Sequence, residues 1–224
     1  MATSLDLQEQ EQLDALKAFW NQYGNLITWL LIAVLAAYGG WNGWQWYQRD
    51  QAAKAAAMAD ELDRAAQAGD AARAGRIAAD LRERFPGTAF AAQGALEAAR
   101  VQHDKGQADA ARASLAWAAD NARDDDLRTI ARLRLAGLQA DAKQYDAALK
   151  TLDAAKAEGF EALVADRRGD VLMAQGKAAD ARAAYQAAWA ALAPTTTYRQ
   201  VVDAKLTALG AAPGAAASGA GAGK

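Results

Sequence analysis

The chain has no cysteine among its 224 residues. That excludes disulfides, thiolate catalysis and cysteine-ligated metals. It contains one histidine, His103. A lone imidazole without thiolates is a poor ligand set. Only three prolines occur, Pro86, Pro194 and Pro213, so little interrupts a helix. No run of alternating β-branched residues signals a strand. Glycine-rich phosphate loops, nucleophile elbows and zinc motifs are missing too. Asp124, Asp125 and Asp126 look like a fragment of a calcium loop. No spaced ligands or terminal glutamate follow, and acids at a helix start simply favour its dipole. The expectation is a protein that is not an enzyme, with no catalytic residues, no cofactor and no metal.

Formal charge is also missing, over one long stretch. From Ala18 to Gln48 there are 31 consecutive residues without a charged side chain. The apolar centre runs from Leu26 to Ala37 (LITWLLIAVLAA). Trp20 and Tyr23 precede it, and Trp41, Trp44, Trp46 and Tyr47 follow it. Such rings bury a face and hydrate a polar N–H or O–H, so paired aromatic girdles mark the two interfaces of a span. A helix from Ile27 to Tyr47 is about 31 Å long, which crosses a hydrocarbon core of about 30 Å. A buried helix of a soluble protein admits charges sooner. A cleaved signal peptide needs a basic n-region, whereas the first 17 residues carry Asp6, Glu9, Glu11 and Asp14 against Lys17. A retained single span is therefore expected. Gly39 and Gly43 form a GxxxG face that can seat another helix. The flanking charges leave orientation open. Arg49, Lys54 and Arg64 lean the C-terminal part inward, but long domains translocate largely regardless of charge.

The remainder is rich in alanine, the best helix former. From Arg49 to Gly210 it carries 23 basic and 23 acidic residues. No basic footprint for nucleic acid exists. About 160 residues suffice for a domain with its own core. A unit repeats within it: Gly69 to Ala74 (GDAARA), Gly106 to Arg112 (GQADAAR), Gly176 to Arg182 (GKAADAR), and Lys143 to Ala148 (KQYDAA), where lysine replaces glycine. Each reads as helix, tight turn, helix, with the glycine taking the left-handed conformation. Five residues after it comes an alanine, Ala74, Ala111, Ala148 or Ala181, spaced by 37, 37 and 33 residues. A small side chain there lets the paired helices approach closely. Tetratricopeptide repeats have a period near 34.

The predicted pairs are 49–68 with 71–84, 88–104 with 107–121, 127–141 with 145–157, and 161–174 with 178–192, closed by a helix over 197–209. Thr88 is a candidate N-cap. The fold class is all-α: one N-terminal transmembrane helix, then an α-solenoid of about four tetratricopeptide-like pairs. The expected segments are a leader at 1–24, the span at 25–47, the helical domain at 48–209 and a disordered Gly/Ala tail at 210–224. Tyr47 to Ala68 holds no breaker, so the span is expected to continue into the first pair. A concave face comes from the first helix of each pair. The repeat register assigns it Gln93, Leu96, Arg100 and His103 from the second pair, Leu133 from the third, and Asp166, Asp170 and Met173 from the fourth. Such a groove suits a peptide segment.

Glu158 to Lys177 (EGFEALVADRRGDVLMAQGK) and Asp146 to Asp153 (DAALKTLD) resemble the signature of the YfgM family of bacterial inner-membrane proteins. So do Leu16 to Trp20, Tyr23-Gly24 and Trp44 to Tyr47 in their order around the span. This resemblance implies one N-terminal span, a cytoplasmic N-terminus and a periplasmic tetratricopeptide-like domain. It implies an ancillary component of the SecYEG translocon that associates with the periplasmic chaperone PpiD and helps hand newly exported proteins on. It carries over no catalytic residues. The alternative with the same physical features is a membrane-anchored scaffold for envelope assembly or cell division.

Overall fold

A computed structural model describes residues 7–211, with side chains from residue 11 onward. The expected tail lies outside the described residues from position 212. Among the described residues there are nine helices and no strand: α1 (Leu7–Gln67), α2 (Ala71–Arg84), α3 (Ala89–Asp104), α4 (Ala108–Asn121), α5 (Asp125–Asp141), α6 (Tyr145–Asp153), α7 (Glu161–Ala174), α8 (Ala178–Ala191) and α9 (Tyr198–Ala208). Two compact units divide the chain, Met1–Gln51 and Ala52–Lys224.

The first unit is the N-terminal part of α1. Its apolar side chains point outward, and Trp29, Leu30, Leu35 and Tyr38 are each about two-thirds exposed. α1 is long and apolar enough to cross a membrane. Two of its polar side chains bond to the helix's own backbone. Thr28 Oγ1 donates to the Gly24 carbonyl at 2.8 Å, and Asn42 Nδ2 donates to the Tyr38 carbonyl at 3.3 Å. Polar side chains so satisfied tolerate hydrocarbon.

The second unit stacks helical hairpins. The C-terminal part of α1 packs with α2 and α3 through Leu62, Ala65, Ile77, Leu81 and Phe85. α3, α4 and α5 share Leu96, Leu115 and Leu135. α5, α6 and α7 meet around Leu152 and Val171. α8 and α9 close the stack around Tyr185, Val202 and Leu206. Ala74, Ala111, Ala148 and Ala181 are all 0% exposed. Each sits where two helices of a pair come together, with no room left at the surface for a larger side chain.

The turns repeat as closely as the alanines. Ahead of α4, Gly106 N–H donates to His103 and Gln107 N–H to Gln102, both at 2.8 Å. The same pair of bonds recurs before α2, α6 and α8 at 2.8–2.9 Å. This double bond satisfies the last carbonyls of the preceding helix and requires a left-handed residue. Gly69, Gly106 and Gly176 supply it at φ 65°, 73° and 82°. In the third pair Lys143 takes φ 60°, at a steric cost glycine does not bear. Two helices that follow longer connections, α3 and α5, are capped by a side chain. Thr88 Oγ1 accepts from Ala91 N–H at 3.3 Å, and Asp124 Oδ1 accepts from Leu127 N–H at 2.9 Å. The aspartate run is therefore a helix cap. Asp125 pairs with Arg128 one turn on.

The expected second helix of the third pair, 145–157, stops at Asp153. The chain after it is irregular, with Ala155 and Ala157 buried. Side chains of α5 hold this segment: Ala157 N–H donates to Thr129 Oγ1 at 3.3 Å, and Arg132 Nη1 donates to the Ala154 carbonyl at 2.6 Å. These bonds replace the helical ladder that 154–157 would otherwise make.

Ala181→Leu should cost about 1–3 kcal/mol by overpacking. Lys143→Gly should raise stability by about 1 kcal/mol by relieving the left-handed lysine. Chemical denaturation followed by circular dichroism checks both.

Candidate functional site

The first helices of successive pairs, α3, α5 and α7, lie side by side and enclose an open hollow of about 290 Å³. Its floor is apolar, built from Leu96 and Ala99 of α3, Leu115 of α4 and Leu138 of α5. The rim is charged: Arg100, His103, Arg134, Asp141 and Arg167. Periodicity explains the rim on α5, where Arg134, Gly137 and Asp141 fall on one helical face. Arg100 is held along its own helix. Its Nη2 lies 2.6 Å from Glu97 Oε1, and its Nη1 lies 3.3 Å from Asp104 Oδ2. The Arg100 bond, offset in part by burial, keeps the Glu97 carboxyl below the usual range, and the Glu97 bond in turn raises the Arg100 guanidinium.

Leu96, Arg100 and His103 line the hollow. Gln93 is exposed on α3 away from it. Leu133 does not reach it either: it packs against the core shared by α5, α6 and α7, one helical position from Arg134. Met173 is exposed but not part of the lining. Asp166 and Asp170 depart furthest from the expected register. They turn toward α8 and α9, leaving Arg167 to face the hollow. A one-residue step on a helix rotates a side chain by about 100°. The repeat spacing fixed the helices but not this rotation. Arg134, Gly137, Leu138, Asp141 and Arg167 were missed for that reason. The leucine-free face at 134, 137 and 141, with Arg134 and Asp141 at its ends, was the available signal.

Asp166 is 3% exposed. Both its oxygens lie 2.8 Å from Lys205 Nζ, and Tyr198 Oη donates to Oδ2 at 2.7 Å. Asp170 Oδ1 accepts from the same Lys205 at 2.7 Å and from Tyr185 Oη at 2.9 Å. Lys205 also stands 5.2 Å from the centre of the Tyr185 ring, a favourable cation–π geometry. A buried carboxylate and a half-buried one thus share one ammonium and two phenols, which fastens α9 to α7 and α8. Burial chiefly, then the bond to Asp166, pushes the Tyr198 phenol up to about 12. Burial and Asp170 push Tyr185 up as well. A carboxylate buried without these partners would be costly. The Tyr185 ring packs so tightly over α7 that a Cβ on Gly169 would collide with it.

The girdle residues Trp20, Tyr23, Trp41, Trp44, Trp46 and Tyr47 are exposed on α1. Nothing lies within 4 Å of a Cβ built on Gly39 or Gly43. Among the described residues, no cluster of three metal-ligating side chains occurs.

A family model described as a tetratricopeptide repeat-like domain matches residues 17–211. The chain is similar to proteins named "Ancillary SecYEG translocon subunit" from three bacteria. The one from Neisseria gonorrhoeae is 30% identical over 204 residues, covering 91% of this chain and 98% of that protein. The one from Escherichia coli is 42% identical over 98 residues, covering 44% of this chain and 48% of that protein. The one from Haemophilus influenzae is 35% identical over 101 residues, covering 45% and 50%. The matched stretch thus spans about half the length of the last two relatives.

Raised phenols stabilise the fold below their unfolded pKa of about 10, and that contribution is lost as pH climbs toward the folded value. Stability should therefore fall between pH 10 and 12, the upper limit being that of Tyr198. Tyr198→Phe should flatten that fall in denaturation curves taken across the range. Asp166→Ala should cost about 3 kcal/mol near neutral pH by leaving Lys205 half-paired.

Proposed function

Because the chain belongs to the tetratricopeptide repeat-like family and, within it, to the ancillary SecYEG translocon subunits, we propose that it is a membrane-anchored, non-enzymatic adaptor at the translocon. The observation that carries this reading is the full-length similarity to the Neisseria relative of that name. In this reading α1 spans the inner membrane with Trp20 and Tyr23 at one interface and Trp41 to Tyr47 at the other. The N-terminus is cytoplasmic and the helical domain periplasmic. Gly39 and Gly43 give a neighbouring transmembrane helix a close approach. The stacked pairs offer the hollow between α3, α5 and α7 to a segment of a partner, either a periplasmic chaperone such as PpiD or an emerging exported chain.

Confinement does much of the work. A partner held on the same membrane reaches an effective concentration in the millimolar range, so a shallow hollow of modest affinity suffices. Modest affinity also permits release, which a hand-over step needs. The open rim and small volume suit such transient engagement.

A photo-crosslinker replacing Trp41 or Trp44 in native membranes should capture translocon subunits. Capture of lipid or of the protein itself alone would sink the translocon role. The lack of cysteine makes orientation directly readable. Gln93→Cys places a single thiol on an exposed site of α3. A membrane-impermeant maleimide should label it in spheroplasts with intact membranes. Protection until lysis would reverse the proposed orientation.

A further inference from the structure

The charge on the rim of the hollow is unevenly satisfied. Arg100 is neutralised by Glu97 and Asp104. Arg134 is different: it is exposed and, among the described residues, makes no hydrogen bond or ion pair. Its interaction is a longer-range one with Glu97, whose carboxyl it helps to lower. Arg167 comes within only 3.8 Å of Asp170, too far for a hydrogen bond. Asp170 is already held by Lys205 and Tyr185. The Arg167 guanidinium instead reaches toward α5, its Nη1 lying 3.5 Å from where a Cβ on Gly137 would sit. Gly137 is one turn from Arg134 on the same face. Two guanidiniums with unused donors therefore border one apolar floor.

From this juxtaposition we propose that the hollow binds a polypeptide segment of a partner in which a leucine-sized side chain stands next to a carboxylate. The apolar side chain fills the space over Leu96, Ala99, Leu115 and Leu138. The carboxylate accepts hydrogen bonds from Arg134 and Arg167. Guanidinium forks match carboxylates in geometry and charge, and such charge-assisted bonds are among the stronger ones. Against the four basic groups of the rim, Asp141 is the one lining carboxylate. It repels a second acid locally and so sets where along the rim the partner's carboxylate lies. Basic segments meet like charge at Arg134 and Arg167 and are rejected. This deepens the adaptor reading and rests on it, since it names the chemistry of the segment delivered to the groove.

The test uses the full chain in detergent micelles and three fluorescent ten-residue peptides. They share a central leucine and differ only in the next residue: glutamate, glutamine or lysine. Anisotropy titration should show the glutamate peptide binding about tenfold more tightly than the glutamine one, with affinity falling as salt rises. Arg134→Glu or Arg167→Glu should remove that preference, and the reversed rim should favour the lysine peptide. Arg134→Lys keeps the charge and should retain part of the affinity, which guards against a variant that merely folds poorly. Equal binding of the glutamate and glutamine peptides would overturn the proposal. So would unchanged affinity in both charge-reversal variants, or displacement of the peptide by acetate at matched concentration, which would make the site a reader of anions alone. The translocon crosslinks from Trp41 are read separately. Loss of charge discrimination with those crosslinks intact would sink this inference and leave the adaptor role standing. Loss of the crosslinks with discrimination intact would do the reverse.

Discussion

Four alanines set the distance between paired helices, and the rest of the domain is arranged around that distance. With Ala74, Ala111, Ala148 and Ala181 fully enclosed, the two helices of a pair pack closely across small side chains. Leucines then fill the spaces between one pair and the next. The close approach demands a short connection, and the left-handed turn with its two backbone bonds supplies it. Core, turn and stacking are thus consequences of one small side chain repeated at nearly constant spacing. Alanine also suits this role locally, because it carries the highest helix propensity.

Charge is distributed with comparable economy. The domain has no net surplus of either sign, yet its charges are not evenly paired in space. Helix-surface pairs such as Arg112 with Asp109 and Arg128 with Asp125 are local and contribute little stability. The network of Asp166, Asp170, Lys205, Tyr185 and Tyr198 is partly shielded from water and links three helices. Burial makes each member dependent on the others. Arg134 and Arg167 at the hollow belong to neither class. They stand at a boundary between apolar floor and solvent with donors left over.

Most of the architecture was legible in the sequence. The uncharged stretch identified the apolar part of α1, and the glycine-to-alanine interval located the paired helices to within a few residues. It worked because both features answer to backbone geometry, which a single residue type reveals. α6 escaped because its early end depends on Thr129 and Arg132, which lie more than twenty residues earlier in the chain. The lining of the hollow was legible only on α3. Leu96, Arg100 and His103 follow directly from that helix's period. On α5 and α7 the expected register slipped by one position, because the rotation of each helix depends on what its opposite face buries. Asp166 and Asp170 look like groove residues until Lys205 and Tyr198, some 30 to 40 residues later, claim them.

The seven residues between α6 and α7 have a mechanical consequence. In a stack where each pair touches only its neighbours, cohesion is a sum of local interfaces, and the weakest of them sets how the whole comes apart. Here α6 is only nine residues long, and the irregular segment after it is held by two side-chain bonds instead of a helical ladder. The segment's place in the stack is thus set by the helix before it, α5, rather than by a ladder of its own.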